Sequence, residues 1–263
     1  MKIRVIQWNI STSSKPQAIA SFIEDRIKSY TVVNLQEVTA NAHNKIIDTL
    51  KPSDSVYSLH LRKPGKYEER NRRMGVSTLV FNGRIENFSL LERTIFPERT
   101  LDVRLLFGSE SIHIINFHSL TGVGYHKAKP SNFAAIADYL DYYHNDLDFF
   151  TCDANEPKVD TLNDDEIEFW NRGDKGKKAS LLFGKSKVHN LKDAFKVYLD
   201  KKGNYEDKNP LAVSHMTKGV PRRYDFIYAS KKWEPTYIEY SYEKSIKSTS
   251  DHSMVMGEFV SNV

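Results

Sequence analysis

A chain of 263 residues can bury a substantial core, as one large α/β domain or two small ones. Its charges nearly balance at a formal +4, with a pI of about 8.9, which mildly favours a polyanionic partner and proves none. One cysteine, Cys152, excludes an internal disulfide framework; with no leader-like run at Met1–Ile6 and no apolar run near the ~18 residues of a membrane span, a cytoplasmic protein without membrane insertion is expected.

Lys2 to Trp8 is an apolar, β-rich run that ends in Trp8-Asn9. Ser13 or Ser14 offers an N-cap and Pro16 an early helical position, with Ile19, Phe22, Ile23 and Ile27 following at helical spacing. Thr31 to Gln36 is a short strand delivering Glu37, and Thr39 caps a helix carrying Ala42, Ile46, Ile47 and Leu50. Strands are expected at Ser55–Leu61, Val76–Phe81, Glu86–Leu91 and Leu101–Phe107. Gly108-Ser109 forms a hairpin turn into Ser111–Phe117, so the sheet pairing is mixed. Ser131 caps a helix with Phe133, Ile136, Ala137 and Leu140 on one face, and Leu147–Thr151 is a buried strand ending in Cys152-Asp153-Ala154-Asn155. The stretch to Arg222 is irregular, with helices near Asp164–Trp170 and Leu191–Leu199; Tyr224–Ala229, Pro235–Tyr242 and Met254–Val260 close the chain. With no repeat and no long linker, residues 1–263 are expected to form a single domain.

The polar residues that punctuate these strands carry the chemistry. Asn9 and Glu37 follow the first two strands, Asn116 and His118 close the strand after the hairpin, Asp153 and Asn155 close the next, Asp225 opens the following one, and Asp251-His252 precedes the last. Ligands of open α/β sheets sit outside strand ends, so such residues converge although far apart in sequence; Asn and Asp also cap strands for structural reasons. Oxygen-only acidic ligands suit Mg²⁺ or Mn²⁺, and no Cys/His cluster has zinc spacing. A second carboxylate with an Asn beside it can position a water for attack on phosphorus, and two histidines can donate to phosphoryl oxygens. His252 does this best if a buried carboxylate keeps it protonated, and Asp225 is available for that.

The ordered series Trp8-Asn9, Gln36-Glu37, Asn116-Phe117-His118, Asp153-Ala154-Asn155, Arg223-Tyr224-Asp225-Phe226-Ile227 and Ser250-Asp251-His252 resembles the endonuclease/exonuclease/phosphatase, or DNase I-like, superfamily across the whole chain. The resemblance implies a four-layer α/β sandwich, two mixed β-sheets face to face with helices outside. It also implies a Mg²⁺ site with Glu37 as principal ligand and Asn9 and Asp251 completing it. In the same pattern Asp153 orients or deprotonates the attacking water, Asn155 holds that water or a phosphoryl oxygen, and His252 backed by Asp225 stabilises the transition state. His118 is a phosphate contact or proton donor, and Asn116 supports its strand end or meets the substrate. Three departures narrow the branch. Cys152 stands where the superfamily usually has Gly, and His118 stands where the abasic-site endonucleases have tyrosine. The Glu that pairs with this histidine in secreted DNase I has no convincing counterpart at Glu68 or Glu69.

Substrate contacts are less specific. Arg62, Lys63, Lys66, Arg70, Arg72 and Arg73, with Tyr67 among them, suit a phosphate backbone or a solvated loop equally; Lys175, Lys177 and Lys178 carry the same ambiguity. Arg223 is better placed, two residues before Asp225, and the loop Gly122-Val123-Gly124 can close over a substrate. Arg99 and Arg104 flank a strand start and suit the cleft or a sheet edge equally, and the remaining histidines and Trp170 default to structural roles. The expected activity is a Mg²⁺-dependent phosphodiesterase acting on nucleic acid. The alternatives are a headgroup phosphoesterase of inositol-phosphate phosphatase or sphingomyelinase type, a tyrosyl-DNA phosphodiesterase, or an inactive binding scaffold.

Overall fold

In a computed structural model of the chain, all residues are described except 64–72, 124, 144, 172, 204, 206, 207 and 263. The inner strands of both sheets bury side chains on both faces, which is the pattern of sheets covered on both sides. One six-stranded sheet runs, edge to edge, β13 (Trp233–Tyr240), β14 (Val255–Ser261), β1 (Lys2–Asn9), β2 (Thr31–Val38), β4 (Gly75–Phe81) and β3 (Asp54–Tyr57). The other runs β5 (Arg84–Ser89), β6 (Thr100–Phe107), β7 (Glu110–His118), β8 (Phe149–Asp153), β12 (Asp225–Ala229) and β9 (Lys192–Asp193). Each sheet is mixed: β1–β2 and β7–β8 are parallel, and their remaining pairings are antiparallel.

One face of each sheet meets the other. Ile3, Val5, Val32 and Phe259 pack there against Val103, Ile114, Phe149 and Ile227. The alternate residues Ile6, Trp8, Val33 and Leu35 pack under α1 (Pro16–Glu24) and α2 (Ala40–Leu50). Ile115, Phe117, Phe150 and Phe226 pack under α4 (Ala128–Tyr142) and α5 (Lys177–Phe183). The result is the expected four layers, helices–sheet–sheet–helices. Among the described residues no helix is long and apolar enough to cross a membrane.

Several local expectations are corrected. The strand expected over Ser55–Leu61 stops at Tyr57 and continues as the short α3 (Ser58–Leu61), whose Ser58 Oγ donates to Glu98 O. The helix expected to start at Ser131 starts at Ala128. Asp164–Trp170 is not helical; Val159 pairs with Glu168, and Asp164 is held from outside by Lys187 and Lys196. The last expected helix starts at Ala194, capped by Asp193, and forms α6 (Ala194–Lys202). The strand expected to reach Tyr242 ends at Tyr240, where α7 (Tyr242–Lys247) takes over. The small hairpin β10 (His215–Thr217) and β11 (Val220–Arg222) was not foreseen. Lys66, Tyr67, Arg70 and Arg72 of the basic stretch, Glu68, Glu69 and Gly124 lie outside the described residues.

Two buried histidines make the fold acid-sensitive. His43 stacks on Tyr57 at 4.6 Å, and His189 Nε2 bonds Leu182 O at 2.9 Å. Burial lowers both imidazoles from 6.5 to about 4. Each is therefore neutral in the fold and protonates more readily when unfolded. The stability that these two neutral imidazoles contribute is complete above pH 6.5 and is lost as the pH falls from 6.5 towards 4, at about 1.4 kcal/mol per unit per histidine. Urea unfolding at pH 7 and pH 5 tests this: His43→Gln and His189→Gln should each flatten the pH dependence by about one proton's share.

Candidate active site

Strand register assembles the site. Parallel pairing sets Asn9 beside Gln36 and His118 beside Asp153, and antiparallel pairing sets Asp225 beside Asp153. β14 runs antiparallel to β1, so the turn before it lies at the end of β1. There Ser250 Oγ donates to Asn9 O (2.6 Å) and accepts from His252 N (3.1 Å), while Trp8 Nε1 donates to His252 O (2.9 Å). Parity does the rest. On the inter-sheet face the apolar run of each strand gives way to polar residues at one end: Gln7 and Asn9 after Ile3 and Val5, Asn116 and His118 after Ile112 and Ile114, Asp153 after Phe149.

Glu37 is an exception to parity, because strict alternation would turn it to the helices with Leu35. The β2–β4 register breaks between Leu35 and Val38, and Glu37 takes φ 55°. Its carboxylate thereby comes within 3.7 Å of His118 Nε2, on the opposite sheet, and accepts from Thr12 N at 3.3 Å. Asn155 is left-handed too, at φ 50°. Left-handed non-glycine residues are uncommon and cost about 1–3 kcal/mol, and they cluster where function needs them.

Asp153 is the centre of the cluster and is wholly buried. Its Oδ2 accepts from Asn9 Nδ2 (2.9 Å) and lies 3.6 Å from His118 Nε2 and 3.9 Å from His252 Nε2; its Oδ1 accepts from Asn155 N (3.0 Å). Burial pushes its carboxyl up to about 7, with the His252 imidazolium pulling the other way. His252 Nδ1 donates to Asp225 Oδ2 at 2.8 Å. Burial by itself lowers this imidazole, but Asp225 and then Asp153 outweigh it and hold it protonated, up to about 10. An acid poised near neutrality thus faces a fixed cation, the split expected of a base and an electrostatic partner.

Of the expected oxygen donors, Glu37 is half-buried with Oε1 3.7 Å from His118 Nε2, Asp251 is exposed beside His215 and His252, and Asn9 Oδ1 accepts from Ser11 N at 3.0 Å. Among the described residues, two His/carboxylate groups have ligand atoms within 4.8 Å of one another: Asp153, Asp225 and His252, and His215, Asp251 and His252; Glu37 belongs to neither. The first is closed by its own Nδ1–carboxylate bond.

Two expected substrate contacts are corrected. Arg223 is fully buried; its Nε and Nη2 bond Asp160 (2.7 and 2.9 Å), and Nη2 also bonds Asp193 (2.6 Å), so it pins the loop after β8 to β9. Asn116 is equally buried, with its amide nitrogen on Leu35 O and Ser77 O, so it ties the two sheets together. Arg99 is buried with Nη1 3.5 Å from Ser119 O, and Arg104 pairs with Asp146 at the surface. Lys175, Lys177 and Lys178 line a groove of about 880 Å³ together with Asp164, Asp165 and Asp174. None of the clustered strand-end residues lines that groove.

The sequence reading missed His215, whose ring stacks on His252 at 4.4 Å and whose Nδ1 bonds Asp251 O at 3.2 Å. It also missed Lys129, buried under the site loop, whose Nζ donates to Asn155 O (2.7 Å) and pairs with Glu156 (3.0 Å). Nothing in the local sequence marks either residue. Gln7, Asn34 and Thr151 were detectable, because each continues an inter-sheet apolar series with a polar side chain.

No protein-family model matches the sequence, and no curated protein matches it. Solved structures do match. D. rerio TDP2 complexed with a single-strand DNA product aligns over 99% of this chain and 99% of its own, with a TM-score of 0.67 at 12% identity. The human Nocturnin catalytic domain with bound sulfate aligns over 99% and 95%, at 0.66 and 16% identity. An endonuclease/exonuclease/phosphatase from Bacteroides vulgatus aligns over 100% of both chains, at 0.64 and 15% identity. Identities this low speak for architecture alone, and that architecture is the DNase I-like fold of the endonuclease/exonuclease/phosphatase proteins.

Proposed function

We propose that the chain is a divalent-metal-dependent phosphodiesterase, acting on nucleic acid in a reducing, cytoplasmic setting. The observation that carries this reading is the convergence on Asp153 of Asn9, His118, Asn155 and His252 from separate strand ends, with Glu37 beside His118. A neutral-range carboxyl can accept a proton from water near pH 7. Asn155, whose side-chain nitrogen is 3.4 Å from Asp153 Oδ2, holds that water or a phosphoryl oxygen. His252, kept cationic by Asp225, donates to the phosphoryl oxygens as charge builds in the transition state. His118 donates from the other side, near the leaving oxygen. Glu37, Asn9 and Asp251 form the oxygen set that would hold Mg²⁺ or Mn²⁺, and their hard donors fit such an ion. Bound there, the ion supplies Lewis-acid charge to phosphoryl and leaving oxygens. A nucleic-acid substrate is supported by the TDP2 structure, a fold neighbour that holds a single-strand DNA product.

The test is a substrate panel with Mg²⁺ or EDTA: single- and double-stranded DNA, RNA, a 5′-tyrosyl oligonucleotide, inositol phosphates and sphingomyelin. Metal-dependent cleavage of an oligonucleotide is the expected result. Cleavage confined to a headgroup or a phosphomonoester would overturn the nucleic-acid assignment. A folded protein that cleaves nothing would leave only the scaffold reading.

A further inference from the structure

Between the apolar core and the site runs a row of buried side-chain amides to which phosphoryl transfer assigns no role. Gln7, Gln36, Asn116 and Asp225 are all 0% exposed. Asn116 Nδ2 donates to two backbone carbonyls, Leu35 O at 3.3 Å and Ser77 O at 3.1 Å. A carbonyl can only accept, so this end of the row dictates which way round Asn116 sits, with its amide oxygen towards Gln36. Gln36 Nε2 donates to that oxygen at 2.8 Å, which leaves Gln36 Oε1 to accept from Gln7 Nε2 at 2.8 Å. The second hydrogen of the same Gln7 nitrogen goes to Asp225 Oδ1 at 3.0 Å, and Asp225 Oδ2 accepts from His252 Nδ1 at 2.8 Å.

The opposite orientation of Gln7 would set its oxygen against both the Gln36 oxygen and the Asp225 carboxylate. Instead Gln7 Oε1 makes no hydrogen bond among the described residues. A buried acceptor left unsatisfied is costly, so the donor end is what this position supplies.

We propose that Asn116, Gln36 and Gln7 form a polarity relay: two strand carbonyls at one end dictate that Asp225 meets a donor at the other. Asp225 then acts only as an acceptor, and the Nδ1–H of His252 donates to it. The second imidazole nitrogen of His252 is left directed at Asp153, 3.9 Å away. Gln7 is a positioning residue, two hydrogen bonds removed from the imidazole face that meets the phosphoryl group. The role of His252 rests on the phosphodiesterase reading; the hydrogen-bond polarity does not.

Polarity can be tested by inverting it. Gln7→Glu changes a donor to an acceptor at constant size, and kcat should fall about 30-fold or more with KM within about twofold. Asp225→Asn meets the mirror conflict, since an amide that keeps its oxygen towards His252 turns its NH₂ on that of Gln7. The double variant Gln7→Glu/Asp225→Asn relieves the conflict at position 225 and keeps the net charge, while the carboxylate at position 7 still faces the Gln36 oxygen, so its kcat should exceed either single variant by about tenfold without reaching wild type. Losses that simply multiply would overturn the relay. A second readout needs no substrate: the low-field Nδ1 proton resonance of His252 should be present in wild type, move upfield in the double variant, where an amide oxygen replaces the carboxylate, and vanish in Gln7→Glu. If Gln7→Glu keeps that resonance, the relay is wrong whatever the activity; if wild type turns over nothing, the phosphodiesterase reading fails while the resonance still decides the relay. Should Gln7→Glu not fold, a folded double variant supports the relay. If neither folds, Gln7→Met decides: retained resonance and full activity would overturn it.

Discussion

Asp153→Asn should lower kcat by about 10²–10⁴-fold with little change in KM, the range of a lost general base. The amide keeps the shape and can still accept from Asn155 N, but it cannot take a proton from water. The same change should leave the Tm at pH 8 unchanged or raised. Asp153 binds its proton more tightly folded than unfolded, because burial lifts its carboxyl to about 7. Ionised Asp153 therefore costs folding free energy, increasingly as the pH rises from about 4 through 7, and a neutral amide escapes that cost. Lost turnover with retained or improved stability marks a group kept for chemistry. An unchanged kcat would remove Asp153 from the centre of the reaction.

Arg223→Leu should destabilise the fold by about 3–5 kcal/mol, the cost of stripping a buried ion pair of one partner. The guanidinium bonds Asp160 and Asp193, both buried, and without it two carboxylates face each other in low dielectric. Burial works against the Arg223 charge, but the two aspartates outweigh it and keep its pKa well above the ordinary value. Asp193 also caps α6, accepting from Phe195 N and Lys196 N, so the damage should spread to that helix. Urea unfolding measures the loss. A substrate contact would behave differently: KM would rise and the unfolding midpoint would stay put.

Much of the candidate site was legible because each main member sits at one end of a strand whose other residues on that face are mostly apolar at period two. Asn9, His118, Asp153 and Asp225 continue the inter-sheet faces of β1, β7, β8 and β12, so register alone brings them together. Cys152 replaces the usual glycine without difficulty, since it lies in β8 with φ outside the left-handed region and its side chain among the outer-face aromatics. Arg223 misled for the converse reason. Its neighbour Asp225 is in the site, but its partners lie 63 and 30 residues away in an irregular segment that no period marks. The segment from Asn155 to Arg222 was the least readable. Its order comes from side-chain pairs such as Lys129 with Glu156 and Asp164 with Lys187 and Lys196, which connect residues far apart in sequence. Helix α5 was missed because it opens on Gly176-Lys177-Lys178 with no capping side chain and is only 7 residues long.

The Mg²⁺ dependence of oligonucleotide hydrolysis by wild type and Glu37→Gln tests the central claim most directly. Glu37 spends a left-handed backbone and a broken strand register on placing one carboxylate beside His118. The amide keeps the size and loses the charge, so its half-saturating Mg²⁺ should rise by at least about tenfold and its kcat should fall, while EDTA should abolish wild-type turnover. Turnover that survives EDTA, or a Glu37→Gln protein with the wild-type Mg²⁺ curve, would contradict the metal-dependent phosphodiesterase.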